Sequence, residues 1–208
     1  MQTKNYTTDL LPLIKSLCGA EFAAIELPRI KAMVNSRAKR AYRMSDFWPR
    51  FLVVAEERNV TNGYVPWDEA SIDSIDTYIR IYRTAPYAIS SSQDFDFYVD
   101  STGAKLLDGG LNSTSVFVTY KKQLTNTYGD GTNGTSAIIP DEWFEYLAHG
   151  TYSDWLRAEG QMEKAQVADM EAIDKVTDEL LRIDEMGTSG LISPRMSTNA
   201  NMQSRWSY

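Results

Sequence analysis

The chain has 208 residues, 43% of them hydrophobic, and a formal net charge of −7, which is enough for one sizeable core or a core with a second small lobe. A single cysteine, Cys18, and a single histidine, His149, exclude an intramolecular disulfide, leave almost nothing for a zinc site and point to synthesis in a reducing compartment. No apolar run approaches the roughly 20 residues of a membrane span, and the opening Met1-Gln-Thr-Lys-Asn lacks the apolar stretch of a signal peptide, so no membrane association is expected.

Charge is distributed unevenly along the chain. Residues 1–50 carry +5, residues 51–139 carry −5, residues 140–186 carry −9 and the last 22 residues carry +2. A basic start, an acidic late segment and a basic end suit self-assembly or partner docking better than broad nucleic-acid binding, which calls for a basic surface. Solvated helix faces would give the same pattern in any one segment.

Taken in chain order, Thr8 or Asp9 can cap a short helix through Leu10, Leu11, Leu13, Ile14 and Leu17, with Pro12 in the first turn and Gly19 near the end. From 28 to about 45 the apolar residues Ile30, Met33, Val34, Ala38, Ala41 and Tyr42 follow the three-and-four spacing of one buried stripe. Arg29, Lys31, Arg37, Lys39, Arg40 and Arg43 occupy much of the rest of that helix. From Phe51 the period changes to two, predicting strands over 51–54, 75–82, 95–99 and 115–120, with a short piece at 105–107. Asn62-Gly63, Ser101-Thr102-Gly103, Asp108-Gly-Gly110 and the run 128–134 mark the turns. Sequential strands without intervening helices imply antiparallel pairing.

Pro140-Asp-Glu142 opens the next helix, whose packed side is predicted as Trp143, Phe144, Leu147, Ala148, Thr151, Trp155 and Ala158. After Gly160 a long acidic helix runs from about 162 to 186. Its narrow seam of Ile173, Val176, Leu180 and Ile183 has the spacing of a coiled-coil contact and is the candidate self-assembly surface. The expected fold is therefore α+β: terminal helices of residues 1–50 and 140–186 packed as a bundle, an inserted antiparallel β lobe over 51–139, and an extended C-terminal tail over 187–208.

The supply of catalytic groups is thin. His149 has no acid beside it in sequence that would orient it as a base and reads as a surface or interface residue, while Cys18 next to Gly19 reads as packing. Acid pairs such as Glu56-Glu57 or Asp68-Glu69 suit solvated turns as well as glycoside chemistry. The glycine-rich run 129–134 lacks both the Lys-Ser/Thr of a phosphate loop and the spaced ligands of a calcium loop. Aromatics at Tyr78, Tyr82, Tyr87, Phe95, Phe97 and Tyr98 would suit a stacking platform, although strand alternation turns about half of them inward. No catalytic, cofactor or metal site is expected.

The tail itself contains no acid, and ends Arg205-Trp206-Ser207-Tyr208. It has no helical or strand period, so the reading is a segment that orders on a partner through Leu191, Ile192, Arg195, Met196, Met202, Arg205, Trp206 and Tyr208. A frayed terminus is the plainer alternative.

Three segments together carry a family resemblance. They are Leu27-Pro-Arg-Ile-Lys-Ala-Met-Val-Asn-Ser-Arg-Ala-Lys-Arg-Ala-Tyr-Arg-Met-Ser-Asp-Phe-Trp48, the pair Ile79-Arg-Ile-Tyr-Arg-Thr-Ala-Pro86 and Val116-Phe-Val-Thr-Tyr120, and Ile139-Pro-Asp-Glu-Trp-Phe-Glu-Tyr-Leu147 running through Leu156-Arg-Ala-Glu-Gly-Gln161. In element order and spacing the chain resembles the head-to-tail adaptor, or connector and tail-tubular, proteins of tailed bacteriophages. That resemblance implies a non-enzymatic virion protein, made in the host cytoplasm, that forms a homo-oligomeric ring, usually a dodecamer. It further implies a C-terminal extension docked on the portal protein, a tail or nozzle protein below, and DNA passing through the channel without specific binding. An acidic lining would keep that DNA from adsorbing, because phosphate binding depends on Lys and Arg releasing counterions. Two other classes stay open from the residues alone: nucleic-acid binding through the basic helix 29–43, and carbohydrate binding or carbohydrate chemistry through the β aromatics and abundant acids.

Overall fold

Asp9 organises the start of the chain. In the computed structural model, which describes residues 4–86, 94–107, 114–125, 128 and 138–188 and side chains of the last helix through Asp184, the Asp9 carboxylate accepts from the Asn5 backbone N–H at 2.7 Å and the Thr8 hydroxyl at 2.9 Å. A π-helical turn, Tyr6–Leu10, leads into α1 (Leu11–Cys18) with Pro12 in its first turn, where its missing N–H costs nothing. Gly19 ends the helix in the left-handed region at φ 62°. The Glu26 carboxylate then accepts the Ala23 N–H at 2.8 Å while the Glu26 N–H donates to the Ala23 carbonyl at 2.9 Å, setting the entry to α2 (Leu27–Met44).

The fold is α+β. By its internal contacts the chain divides into two units, 1–41 with 127–208, and 42–126. In the first, β1 (Lys4–Asn5) pairs antiparallel with β8 (Ile138–Ile139), matching Lys4 to Ile139. The Lys4 ammonium lies 4.2 Å from the centre of the Phe144 ring. α3 (Asp141–Ala158) starts just after Pro140 and buries Trp143, Phe144, Tyr146, Leu147, Ala148, Gly150, Thr151, Ser153 and Leu156, more than one stripe of a surface helix. Of the residues predicted for its packed side, Trp155 is half-buried, packed at the edge of the Leu156, Ala165 and Ala168 cluster, and Ala158, in the last turn, is exposed. Gly160, at φ 77°, allows the turn in which Gln161 N–H returns to the Leu156 carbonyl at 2.9 Å. α4 (Met162–Thr188) then packs on α3 through Ala165, Ala168 and Ala172, whose small side chains let the two backbones approach; the Ser153 hydroxyl reaches the Ala165 carbonyl at 2.7 Å.

The second unit is two antiparallel three-stranded sheets. One has the order β2 (Leu52–Asn59), β7 (Ser115–Lys122), β4 (Ile75–Tyr82); the other has β3 (Tyr64–Pro66), β6 (Gly103–Leu106), β5 (Phe97–Val99). Their inner faces share one core of Val65, Ile75, Tyr78, Ile81, Phe95, Ala104, Leu106, Val116, Val118 and Tyr120. The Tyr78 hydroxyl donates to the Val65 carbonyl at 2.8 Å, tying the two sheets together. Asn62 and Gly63 both have positive φ, 53° and 76°, and Thr61 and Tyr64 exchange both backbone hydrogen bonds across them. That is the two-residue turn that Asn-Gly favours, since its twist matches the strands it joins.

β2 is longer than the sequence pattern predicts, because a bulge after Val53 changes its register against β7. Ala55 sits in that bulge at φ 52°, and its N–H finds the Thr119 hydroxyl at 3.1 Å. Past the bulge, Arg58 points inward and is fully buried. It donates to the Asp73 carbonyl at 2.6 Å and to the Tyr120 hydroxyl, pairs with Glu56 at 3.0 Å, and stacks 4.7 Å from the centre of the Tyr120 ring. Lys121 on β7 is equally buried, donating to the Tyr42 carbonyl at 2.7 Å and to Asp46 at 3.1 Å.

Candidate assembly surfaces

The helical unit is held by an ionic cluster that the sequence pattern does not reveal. Arg37 falls among the basic residues of α2, yet it is only 2% exposed. Its guanidinium meets Asp154 of α3 side-on, Nε to Oδ2 at 2.8 Å and Nη2 to Oδ1 at 2.7 Å, and Nη1 reaches Asp169 of α4 at 2.7 Å. Arg157 completes the set, 3.3 Å from Asp154 and 2.8 Å from Asp169. Burial alone would push the Asp169 carboxyl up, but the hydrogen bonds from Arg37 and Arg157 outweigh it and hold the group below the usual carboxylate range. One arginine therefore fastens three helices, and the fork of a guanidinium is the group that can meet two carboxylates from two directions.

With Arg37 turned inward beside Ile30, Val34, Ala38 and Ala41, the outer side of α2 carries Arg29, Ala32, Ser36, Lys39 and Arg40, all exposed. Among the described residues, the side chains of Arg29, Lys39 and Arg40 are in no ion pair.

α4 has two rows of side chains. The inner row is Ala165, Ala168, Ala172, Val176 and Ile183, all buried. About 170° around the helix lies a second row of Val167, Met170, Asp174, Thr177 and Leu181, with Ile173 and Leu180 between the two rows. Its apolar members are largely in solvent: Val167 is 53%, Met170 52% and Leu181 57% exposed. The predicted seam is divided between the two rows. Val176 and Ile183 are used in the chain's own packing, Ile173 is 47% exposed and Leu180 is half-buried. Asp174 and Asp178 are exposed on the outward side.

His149 faces α4, with Nδ1 3.3 Å from Glu171 Oε2. Cys18 is a half-buried free thiol, and burial pushes its pKa up to about 12. Tyr78, Tyr82 and Phe95 are buried and Phe97 packs against the β core, leaving Tyr98, 49% exposed, as the outward-facing member of the described aromatics considered for stacking. Tyr87, the runs 108–110 and 129–134, and the tail anchors Leu191, Ile192, Arg195, Met196, Met202, Arg205, Trp206 and Tyr208 lie outside the described residues. Among the described residues no group of three or more His, Cys, Asp or Glu side chains is placed to hold a metal ion, and no helix is long and apolar enough to cross a membrane.

Sequence reasoning missed Arg37, Arg58 and Lys121 as buried cations and missed the outward row of α4. A signal for the last was present: Val167, Met170 and Leu181 share a heptad-like spacing offset from the inner row. No protein-family model matches the chain, and no curated protein matches its sequence.

Proposed function

We propose that this chain is a non-enzymatic structural protein of a phage virion, a ring-forming head-to-tail adaptor that joins the portal to the tail and continues the DNA channel. The reading rests on the family resemblance. The observation that best supports it is the placement of two unlike, unsatisfied surfaces on one helical unit: the unpaired cations of α2 and the exposed apolar and acidic row of α4. A ring subunit must present a different surface to each of its two neighbours, and these two surfaces are unlike in the way such a contact requires. In this reading the tail, 187–208, docks on the portal, the β unit meets the tail or nozzle protein, and DNA passes through the channel without specific binding.

The test is co-purification with portal rings. Deleting 190–208 is expected to abolish portal binding while leaving the melting temperature unchanged, since the last described buried side chain of α4, Ile183, precedes the cut. Portal binding of unchanged affinity by the truncated chain would remove the tail from the contact.

A further inference from the structure

We infer that the partner of the outer α2 face is a second copy of this chain, docked head to tail so that the row Val167, Met170, Asp174, Thr177 and Leu181 of α4 lies on Arg29, Ala32, Ser36, Lys39 and Arg40 of α2 in its neighbour. The inference rests on the ring reading above and names the two surfaces that would form its contact.

Shape is the first support. Ala32 and Ser36, one turn apart and both exposed, leave a shallow valley along α2, and the cations stand at its borders. The apolar side chains of α4 form the matching ridge. The two stretches have similar lengths, about 16 Å from Arg29 to Arg40 and about 21 Å from Val167 to Leu181 at the helical rise.

Charge is the second. Residues 140–186 carry 13 acids against four bases, yet none of the described acids pairs with Arg29, Lys39 or Arg40 within the chain. Asp174 and Asp178 are exposed and in no ion pair. Each surface holds the complement of the other, and both come from the same chain in equal number.

A nucleic-acid backbone would satisfy the cations but would leave the apolar row of α4 in water. A second copy satisfies both. Because the two patches differ, each contact leaves one patch of each kind free, so association continues until it closes on itself.

Sedimentation velocity of the full chain over a concentration series tests this, with R29E/R40E, with D174K/D178K, and with an equimolar mixture of the two. The wild-type chain is expected to associate, and less so in high salt. Each double variant alone places like charges in contact and is expected to remain monomeric with a wild-type melting curve. The mixture is expected to associate again, because each variant then offers the charges the other requires on both faces. If either double variant fails to fold, Lys39→Glu and Asp174→Lys allow the same comparison. The inference is overturned by a wild-type chain that is monomeric at every concentration, by variants that associate as wild type does, or by a mixture that stays monomeric. Retention of duplex DNA that is lost in R29E/R40E, by a chain that does not self-associate, would replace it with a polyanion surface. Portal binding is scored separately through the tail, so failure here does not decide that question.

Discussion

Gly150 of α3 lies directly against Arg37 of α2: a Cβ added at Gly150 would sit 2.9 Å from Arg37 Cδ and 3.1 Å from Nε. The absence of a side chain at 150 is what lets the guanidinium reach Asp154 in a side-on fork. Gly150→Ala is therefore expected to weaken the helical unit by displacing the arginine, while Arg37→Ala, which removes the charge from between two carboxylates, should cost about 2 to 4 kcal/mol, moderated because both carboxylates are partly in solvent. Arg37→Lys should restore little of this, since an ammonium cannot form the fork. Chemical denaturation followed by helical circular dichroism checks all three.

The same cluster fixes the sign of a pH dependence. Asp169 has a lowered pKa in the folded chain, so its contribution is fully present above the unfolded carboxylate pKa and is lost as pH falls through the folded value. Stability of the wild type should decline on acidification below about pH 4. In Asp169→Asn that decline should be smaller, from a lower starting stability; equal slopes would remove Asp169 from the acid response.

Gly103 in β6 has φ 148°, and a Cβ there would lie 2.0 Å from the Val65 carbonyl oxygen across the sheet. A backbone atom cannot yield as the end of a side chain can. Gly103→Ala is expected to destabilise the β unit by about 3 kcal/mol or more, read as loss of near-ultraviolet signal from the Trp67, Tyr78 and Phe97 cluster, whose ring centres lie 4.8 Å and 6.2 Å apart in succession.

Ala55 is the converse case, a residue with a Cβ held at φ 52° in the β2 bulge. Ala55→Gly should relieve about 1 kcal/mol of left-handed strain, partly offset by greater freedom in the unfolded chain. Because Ala55 is only 5% exposed, loss of its buried methyl offsets the relief as well, and the expected outcome is a melting temperature close to wild type.

Cys18 is the single thiol, and its raised pKa of about 12 leaves very little thiolate near neutral pH. Alkylation of the native chain should be slow at pH 8 and become fast on denaturation. Native labelling at the denatured rate would place the thiol in open solvent.

The two rows of α4 separate core from surface. Val176→Asp buries a carboxylate in the helical unit and should unfold it, whereas Ile173→Asp, at a position 47% exposed, should leave the thermal midpoint of the monomer close to wild type. A midpoint lowered equally by both would place Ile173 in the core.

How much of this was legible depended on distance along the chain. The strand 75–82 could be read outright because alternation records which side faces the core, and α3 because Pro140, Asp141 and Glu142 mark its start. β3 was hidden by its brevity and by Pro66, and the second half of β2 by Glu56 and Arg58, which look like surface residues until Tyr120 and the Asp73 carbonyl are seen around the arginine. Arg37 was illegible for the same reason: its partners lie 117 and 132 residues away, and no local pattern reports them. On α4 the buried row consists mainly of alanines, which carry little hydrophobic signal. The stronger hydrophobic signal comes from Ile173 and Leu180, which lie outside that row.

That alanine row has a consequence for which changes the chain could tolerate. At Ala165, Ala168 and Ala172, 0%, 3% and 0% exposed, the usual scale of conservative replacement is inverted, because the contact depends on nearness of two backbones rather than on bulk. Serine at these sites would be mild, whereas valine or leucine, gains in hydrophobicity elsewhere, would wedge α3 from α4. Lineages carrying this helix should thus exchange these alanines only for residues of nearly the same volume, such as serine.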